Sequence, residues 1–573
     1  MIPPPPSPCD SHPTTFFGLL LQSRSASCNP DGQSSYSSSL LIRDFLTREI
    51  NAFLWLSLIV VTALLLRKLL KLFRLWYMAS NIPGIPTSSL SGHYNLISRQ
   101  NLIDLLSESH KRYGAIVKLW LGPTQLLVSV KDPLLIQEML IKAEDKLPFS
   151  GKAFRLAFGQ SSLFSSSFEK VQKRRDLLAT DLDERSIKNA GLIPSTVLDF
   201  IMDKIENIRA GGNIDCRLVS QHMAFSIMGA TFFGDGFLAW PKAAIYEELL
   251  MKIAKDASFW ASYNVTPFWR RGFWRYQCLC TKLKCLTQDI LQHCRKNCKL
   301  FYHIEQNVHS ERSNIEMGTT YGVQCCSDDH NTAKEEPCGN IMGVMYHGCQ
   351  TTAALISNIL TSLVMHPEIQ DKVYSEITFV AKNPSKYEQE DIFRMPLLLA
   401  TVYESARLLP TGPLLQRCSL KHDLSFSNGV NIPAGAILVV PVQLVQMDDS
   451  NWGSDARNFN PYRFLSNGGM GSDVLLNASN TGTAEEHKNP GFGLSILNDP
   501  NENAAFLPFG SGTRACIGQK FVIQAIATLF ASLLKKYEIK LHSGPESDLK
   551  LSSKNHLLQH LPNSRIVFKR RDN

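Results

Sequence analysis

A cysteine just before the last long apolar helix pattern is the residue of this 573-residue chain best placed for metal chemistry. Cys516 follows the stretch FGSGTRA at 509–515, and Gly518 leads into an apolar helical pattern over 519–534. Unpaired backbone N–H groups and the helix dipole favour negative charge at a helix N-terminus, which lowers the pKa of a thiol there. The sequence therefore predicts a thiolate at position 516.

The residues around this cysteine suit a flat, anionic partner. Gly512 and Gly518 permit positive φ and let such a partner approach the backbone closely. Phe509 can pack against it, and Arg514 can pair with a carboxylate at its edge. A haem fits this set, because a thiolate ligand donates electron density to iron and favours O–O bond cleavage. The alternative, a glycine-rich turn with an inert buried cysteine, is disfavoured because five positions agree at fixed spacing.

This loop resembles the haem-binding loop of the cytochrome P450 superfamily, F-x-x-G-x-R-x-C-x-G, at every fixed position. Two more stretches, ESARLLP at 404–410 and FNPYRF at 459–464, are similar to the family's E-x-x-R helix and meander and occur in the expected order. The resemblance covers residues 82–573. It implies a mainly α fold with a small β subdomain, preceded by a single N-terminal transmembrane helix, and it implies that Cys516 is the iron ligand.

The resemblance also implies roles for several charged residues. Glu404, Arg407 and Arg463 are expected to form a buried charge network that fixes the core behind the haem. Arg417, which follows in the stretch TGPLLQR at 411–417, is expected to reach a haem propionate.

A basic stretch, FEKVQKRR at 168–175, departs from the family pattern because it lacks the Trp that often contacts the propionates there. Arg174 or Arg175 could still make that contact. The alternative is a solvated charged helix. Lys170, Lys173 and Arg174 could also form part of a basic docking face for an acidic redox partner, with Lys520 near the same face.

The helix predicted over 341–360 contains HGCQTT at 347–352, similar to the family's oxygen-side pattern [AG]-G-x-[DE]-T-[TS]. Thr351 is expected to bond the carbonyl four residues back, to open a groove for O2 and water, and to help deliver protons. Gln350 replaces the acid; it can orient water but cannot release a proton at neutral pH. His347 replaces a small residue, and we hypothesise that it narrows the pocket or ligates iron.

An apolar run over 50–66 is followed by basic residues at 67, 68, 71 and 74. No small-residue cleavage site follows it, so it is interpreted as a membrane anchor rather than a signal peptide. The positive-inside rule then predicts that the chain after it lies in the cytosol. The resemblance implies that the membrane is that of the endoplasmic reticulum. Four segments are expected: a low-complexity tail over 1–44, the anchor and its basic flank over 45–78, the catalytic domain over 79–573, and insertions in it near 307–337 and 466–504.

Composition excludes several classes of protein. Hydrophobic residues make up 44% of the chain, which suits a packed core. The net charge of +8 comes without a dense basic block, so no nucleic-acid partner is expected. Fourteen cysteines in so long a chain do not make a disulfide scaffold, and the sequence contains no C-x-x-C pair of the kind common in zinc sites.

Apolar periodicity predicts helices over 100–112, 133–144, 168–210, 243–257, 341–365, 367–381, 395–408 and 518–536. Strands are predicted over 116–121, 125–130, 438–442 and 565–569.

The favoured function is monooxygenation of a lipophilic small molecule, with O2 as oxidant and electrons that pass from NADPH through a reductase to haem b. Two alternatives stay open. One is a haem-thiolate isomerase or dehydratase that acts on a peroxide without a reductase, as the missing acid at Gln350 would allow. The other is a non-catalytic haem-binding membrane protein, which ligation of iron by His347 would favour.

Overall fold

The computed structural model describes the following parts of the chain: residues 38–87, 92, 93, 96, 102–143, 145, 172, 175, 176, 178–180, 182, 197–210, 214–261, 269–293, 336–380, 389–419, 422–467, 495–541 and 565–571. The basic residues Lys170, Lys173 and Arg174, and most of the tail and of both expected insertions, lie outside them.

The chain divides into two compact units, Met1–Arg74 and Leu75–Asn573. In the first, the described part is helical and belongs to helix α1 (Ser38–Ser80). Its stretch over Leu46–Ser80 is long and apolar enough to cross a membrane. The side chains in the most apolar part of this stretch are exposed and are not packed in a core. The predicted apolar helix is thus confirmed.

Helices dominate the second unit. Those before the oxygen-side helix are α2 (Leu102–Tyr113), α3 (Pro133–Lys142), α4 (Leu198–Ala210), α5 (Cys216–Phe233), α6 (Ala243–Ala261) and α7 (Arg271–His293). The later ones are α8 (Glu336–Met365), α9 (Pro367–Val380), α10 (Gln389–Phe393), α11 (Pro396–Leu408), α12 (Val442–Gln446), α13 (Asp449–Trp452) and α14 (Gln519–Lys536).

The strands are short. They are β1 (Ile116–Trp120), β2 (Leu126–Val130), β3 (Ile214–Asp215), β4 (Leu414–Arg417), β5 (Leu424–Ser425), β6 (Asn431–Ile432), β7 (Ile437–Pro441), β8 (Leu465–Asn467), β9 (Ser495–Leu497), β10 (Tyr537–Leu541) and β11 (Arg565–Arg570). The largest sheet has the order β1-β2-β7-β4, with β2 and β7 parallel and the other pairs antiparallel. The mainly α fold with a small β part is therefore confirmed.

Helices α5 and α8 pack closely against each other at the centre of the main core. Gly348 on α8 leaves space for the Met228 side chain of α5, because a Cβ at Gly348 would lie 2.1 Å from Cε of Met228. Gly348 therefore faces a neighbouring helix, a contact that its sequence pattern does not predict.

The end of α1 is held by the first strand of the sheet. The Trp76 ring stacks on Trp120 at 4.2 Å, and its Nε1 donates to the Pro123 carbonyl at 2.9 Å. Lys118 Nζ donates to the Ala79 carbonyl at 2.6 Å, which satisfies one of the last orphan carbonyls of the helix. The helix ends at Ser80, shortly before Pro83 and Pro86, whose rings cannot continue it.

Candidate active site

The loop before α14 presents Cys516 on a turn stabilised by its own backbone. The Cys516 N–H donates to the Phe509 carbonyl at 2.9 Å, and the Ala515 N–H donates to Gly512 at 3.0 Å. The Cys516 side chain is exposed and is not in a disulfide. The predicted thiol therefore sits at an accessible position, two residues before the N-cap of α14.

Gly512 and Gly518, the two glycines of this loop singled out from the sequence, differ from each other. Gly512 has φ of +70°, and a Cβ there would lie 2.4 Å from the Leu140 carbonyl oxygen on α3, so only glycine fits. Gly518 does not use its freedom to adopt positive φ: its φ is −99°, because this residue is the N-cap that leads directly into a helix. Gly510, with φ of +70°, takes the second left-handed position. A Cβ at Gly518 would meet only Val522, at 3.9 Å.

Three buried arginines lie close together at the loop: Arg514 within it, and Arg175 and Arg417 beside it. Arg175 Nη2 donates to the Ala515 carbonyl at 2.7 Å, and Arg417 Nη2 donates to the Arg514 carbonyl at 3.4 Å. Burial, together with the neighbouring charges of Arg514 and Arg175, lowers the pKa of Arg417 to about 10. Burial also lowers the pKa of Arg175, while the charge of Cys516 opposes that shift. Three cations thus share one small volume beside the thiol.

This cluster fits a partner with two carboxylates. Among the described residues no Asp or Glu forms an ion pair with Arg417 or Arg175, and Arg417 Nε has no hydrogen-bond partner there. Clustered buried cations are costly unless anions neutralise them. The two propionates of a haem would supply that charge, so the residues present fit the expected cofactor. Phe509 lies half-buried at the same loop, with its ring 6.5 Å from Phe506.

The expected charge network is present behind this loop. Glu404 and Arg407 on α11 form a two-point ion pair with no exposed side-chain surface. Arg463 Nε donates to the same carboxylate at 3.1 Å, and its Nη2 lies 3.0 Å from Asp455. The Asn460 N–H also donates to Glu404 at 2.9 Å. The predicted network of Glu404, Arg407 and Arg463 is confirmed, and Asp455 is a member that the sequence did not reveal.

The oxygen-side residues lie on α8. Thr351 Oγ1 donates to the His347 carbonyl at 2.8 Å, which is the bond expected four residues back. The same bond occurs at Thr231 and Thr361, so it does not by itself mark an oxygen groove. Gln350 Nε2 donates to Sδ of Met251 on α6 at 3.0 Å. The His347 ring meets Tyr346 edge-on at 5.5 Å.

Comparison with known proteins decides the family. Residues 83–568 match the family model for cytochrome P450. The chain belongs to the cytochrome P450 family.

Among curated relatives, cytochrome P450 734A5 of Oryza sativa subsp. japonica is 23% identical over 82% of this chain and 82% of its own length. Cytochrome P450 4X1 of Mus musculus is 23% identical over 85% of this chain and 91% of its own length. An 11-oxo-beta-amyrin 30-oxidase of Glycyrrhiza uralensis is 31% identical over 34% of this chain and 31% of its own length.

As a cytochrome P450, the protein is a haem-thiolate monooxygenase, an oxidoreductase that binds haem iron. Members of this family take their electrons from a redox partner and use O2. The isomerase and the non-catalytic haem protein are therefore less well supported than the monooxygenase. Within the described part of the chain, no group of three or more His, Cys, Asp or Glu side chains could hold a separate metal ion.

Proposed function

We propose that this cytochrome P450 inserts one oxygen atom from O2 into a lipophilic small molecule, with haem b as cofactor and with electrons that pass from NADPH through a reductase. The observation that carries the proposal is the exposed thiol of Cys516 beside the buried arginines 175, 417 and 514. Cys516 Sγ would ligate the iron. Arg417 and Arg514 would bind the propionates, and Phe509, Gly512 and Gly518 would shape the loop under the porphyrin. The bound haem supplies O2 binding and O–O bond cleavage.

Thr351 and Gln350 are proposed to organise protons on the oxygen side. The Thr351 hydroxyl gives its hydrogen to the His347 carbonyl, so its oxygen remains an acceptor for water. Gln350 uses Nε2 on Met251 and keeps its carbonyl oxygen as an acceptor. Neither residue can release a proton at neutral pH, so they would orient water rather than act as acids.

The apolar helix over Leu46–Ser80 supports a membrane location. We propose a single-pass protein of the endoplasmic reticulum with the catalytic domain in the cytosol, because basic residues follow the apolar run. Apolar substrates concentrate in a bilayer, which supports a lipophilic substrate. Protease protection in sealed microsomes tests the orientation: digestion of the part after residue 80 without detergent is expected, and protection of that part would contradict the proposal.

The carbon monoxide difference spectrum of the reduced protein tests the ligand. The thiolate-type spectrum is expected for the unchanged chain and for Cys278→Ser, a control at another exposed cysteine, and its loss is expected for Cys516→Ser. An unchanged spectrum in Cys516→Ser would contradict the assignment.

Turnover then tests the reaction. Product that requires NADPH, reductase and O2 supports monooxygenation. Turnover of a hydroperoxide alone, without NADPH or reductase, would instead support the isomerase. Thr351→Val is expected to lower product formed per NADPH consumed while the carbon monoxide spectrum stays intact, and equal coupling in both proteins would remove Thr351 from proton delivery.

A further inference from the structure

Four exposed cations lie on one side of α1, directly after its apolar run. This basic face consists of Arg67, Lys68, Lys71 and Arg74. At about 100° of rotation per residue, the four side chains fall within an arc of roughly 120°. The other side of the same two turns carries exposed apolar side chains: Leu66, Leu69, Leu70 and Phe73. The segment over 66–74 is therefore amphipathic, with its charge gathered on one side.

No acidic residue neutralises the basic face from within its own helix. The sequence contains no Asp or Glu between Glu49 and Asp104, and ion pairs within a helix need partners three or four residues apart. The other end of the apolar run differs, because positions 43–49 hold two arginines and two acids. Net positive charge thus lies at one end of the membrane-crossing stretch.

The depth of the basic face in a bilayer follows from the length of the apolar run. The run over 50–66 rises about 25 Å along the helix axis, close to the roughly 30 Å of a hydrocarbon core. Arg74 lies about 10 Å further along the axis than Arg67, so the four cations span the headgroup layer that borders the core. A segment that is cationic on one side and apolar on the other suits that boundary.

We propose that the basic face binds anionic phospholipids and so determines which lipids surround the anchor. A cation close to a membrane surface raises the local association of anionic headgroups about fivefold. A role in orientation alone requires a number of cations but not their placement on one side of the helix. Lipid binding accounts for that placement, because neighbouring cations act on the same headgroups. This inference rests on the proposed membrane location of α1.

Lipid selectivity of the full-length protein in phosphatidylcholine vesicles tests the proposal. Electron spin resonance with a trace of spin-labelled phosphatidylserine or phosphatidylcholine measures the fraction of each lipid held against the protein. Selectivity for phosphatidylserine is expected to be roughly twofold when averaged over all lipids around the anchor, since fivefold sites occur only beside the cations. It should fall towards one in about 1 M NaCl, where the Debye length is about 3 Å.

A swapped variant separates the placement of the charge from its amount. Leu70→Lys with Lys71→Leu, combined with Phe73→Arg and Arg74→Phe, keeps composition and net charge but spreads the cations around the helix. Selectivity should fall in this variant, because cations on opposite sides of a helix about 10 Å wide no longer act on the same headgroup. Protease protection of the variant should match that of the unchanged protein.

A matched control changes charges at the other end of the apolar run. Arg48→Gln with Glu49→Gln removes one cation and one anion there and should leave selectivity unchanged. The salt measurement needs no variant, so the proposal stays testable if the swapped protein fails to insert. The carbon monoxide spectrum of the same samples shows whether the catalytic domain has kept its haem.

Three results would overturn the proposal: a selectivity of one in the unchanged protein, a selectivity that salt does not lower, or equal selectivity in the swapped and unchanged proteins. The last of these would mean that the cations serve orientation only. A failure of the proposed orientation is distinguishable, because it appears in protease protection and leaves lipid selectivity intact when both leaflets have the same composition.

Discussion

Arg407 donates from Nε and Nη2 to the two carboxylate oxygens of Glu404, one turn away on α11, at 2.7 and 2.8 Å. Neither side chain has exposed surface. The Arg407 guanidinium also lies 5.0 Å from the Trp452 ring, and its Nη1 donates to the Ala456 carbonyl at 2.6 Å. The pair therefore joins α11 to the segment after α13 through bonds that are all shielded from water.

Removing one partner of this pair should be costly. Arg407→Ala leaves Glu404 buried, and only Arg463 remains beside it, so a loss of roughly 3–5 kcal/mol in the free energy of unfolding is expected. The control is Lys252→Ala, which removes an exposed pair with Glu248 one turn away; it should cost less than about 0.5 kcal/mol. Denaturant unfolding measures both, and equal losses would show that burial of the pair does not matter.

Gly512→Ala should damage the cysteine loop. The new Cβ meets the Leu140 carbonyl, and φ of +70° is strained for any other residue, so a loss of about 1–3 kcal/mol is expected. Gly412→Ala is the control, because nothing lies within 4 Å of the position its Cβ would occupy. Thermal unfolding compares the two variants. A Gly512→Ala protein as stable as the control would mean that the loop can move away from α3.

Arg417→Ala separates cofactor binding from fold stability. Without a haem, loss of this arginine relieves repulsion from Arg514 and Arg175, so the haem-free protein should not become less stable through lost charge pairing. Haem should nevertheless dissociate faster, by roughly tenfold for one lost charged hydrogen bond of about 1.5 kcal/mol. Transfer of haem to an apo-globin acceptor measures the rate. The exposed Arg270→Ala is the control, and a rate equal to that control would exclude a propionate contact.

Gln370→Ala should loosen the strand that follows α14. The buried Gln370 amide accepts from the Ile539 N–H at 2.8 Å and donates to the Ile539 carbonyl at 3.0 Å. Its loss leaves two buried backbone groups unpaired, which should cost about 2–4 kcal/mol. The control is the exposed Lys372→Ala on the same helix. Hydrogen exchange at Ile539 reports the local effect, and unchanged protection there would contradict it.

The cysteine loop was predicted from residue types at short fixed spacing. The charge network was predicted from the resemblance to the family, since the spacing of Glu404 and Arg407 alone suits an ordinary surface pair and Arg463 is 59 residues from Glu404 along the chain. The four strands predicted over 116–121, 125–130, 438–442 and 565–569 are confirmed with small shifts of their ends. Helix α5 was missed, since it is apolar on nearly every face and has no period for a pattern to reveal. The sequence did contain signals for the two ends of this helix: Asp215 is its N-cap, and Gly234 follows its last residue.

Helix α7 was missed for a different reason. Its buried residues recur every three or four positions from Phe273 to Ile290, a pattern that could have been found. The contacts of Gly348 with Met228 and of Glu376 with Leu397 could not have been found from the sequence, because each joins two helices that are separate along the chain. The long helix expected over 168–210 is described only in part: α4 begins at Leu198, and most residues before it lie outside the described ranges.

The contacts of Lys118 and Trp120 with the end of α1 affect where a shortened form of the protein should begin. A chain cut after Ser80 would leave Trp120 without its stacked ring and Lys118 without the Ala79 carbonyl. A shortened protein that begins at Leu75 keeps both contacts and lacks the apolar run before it. The first residue of a recombinant form should therefore lie just after Arg74 and before Trp76.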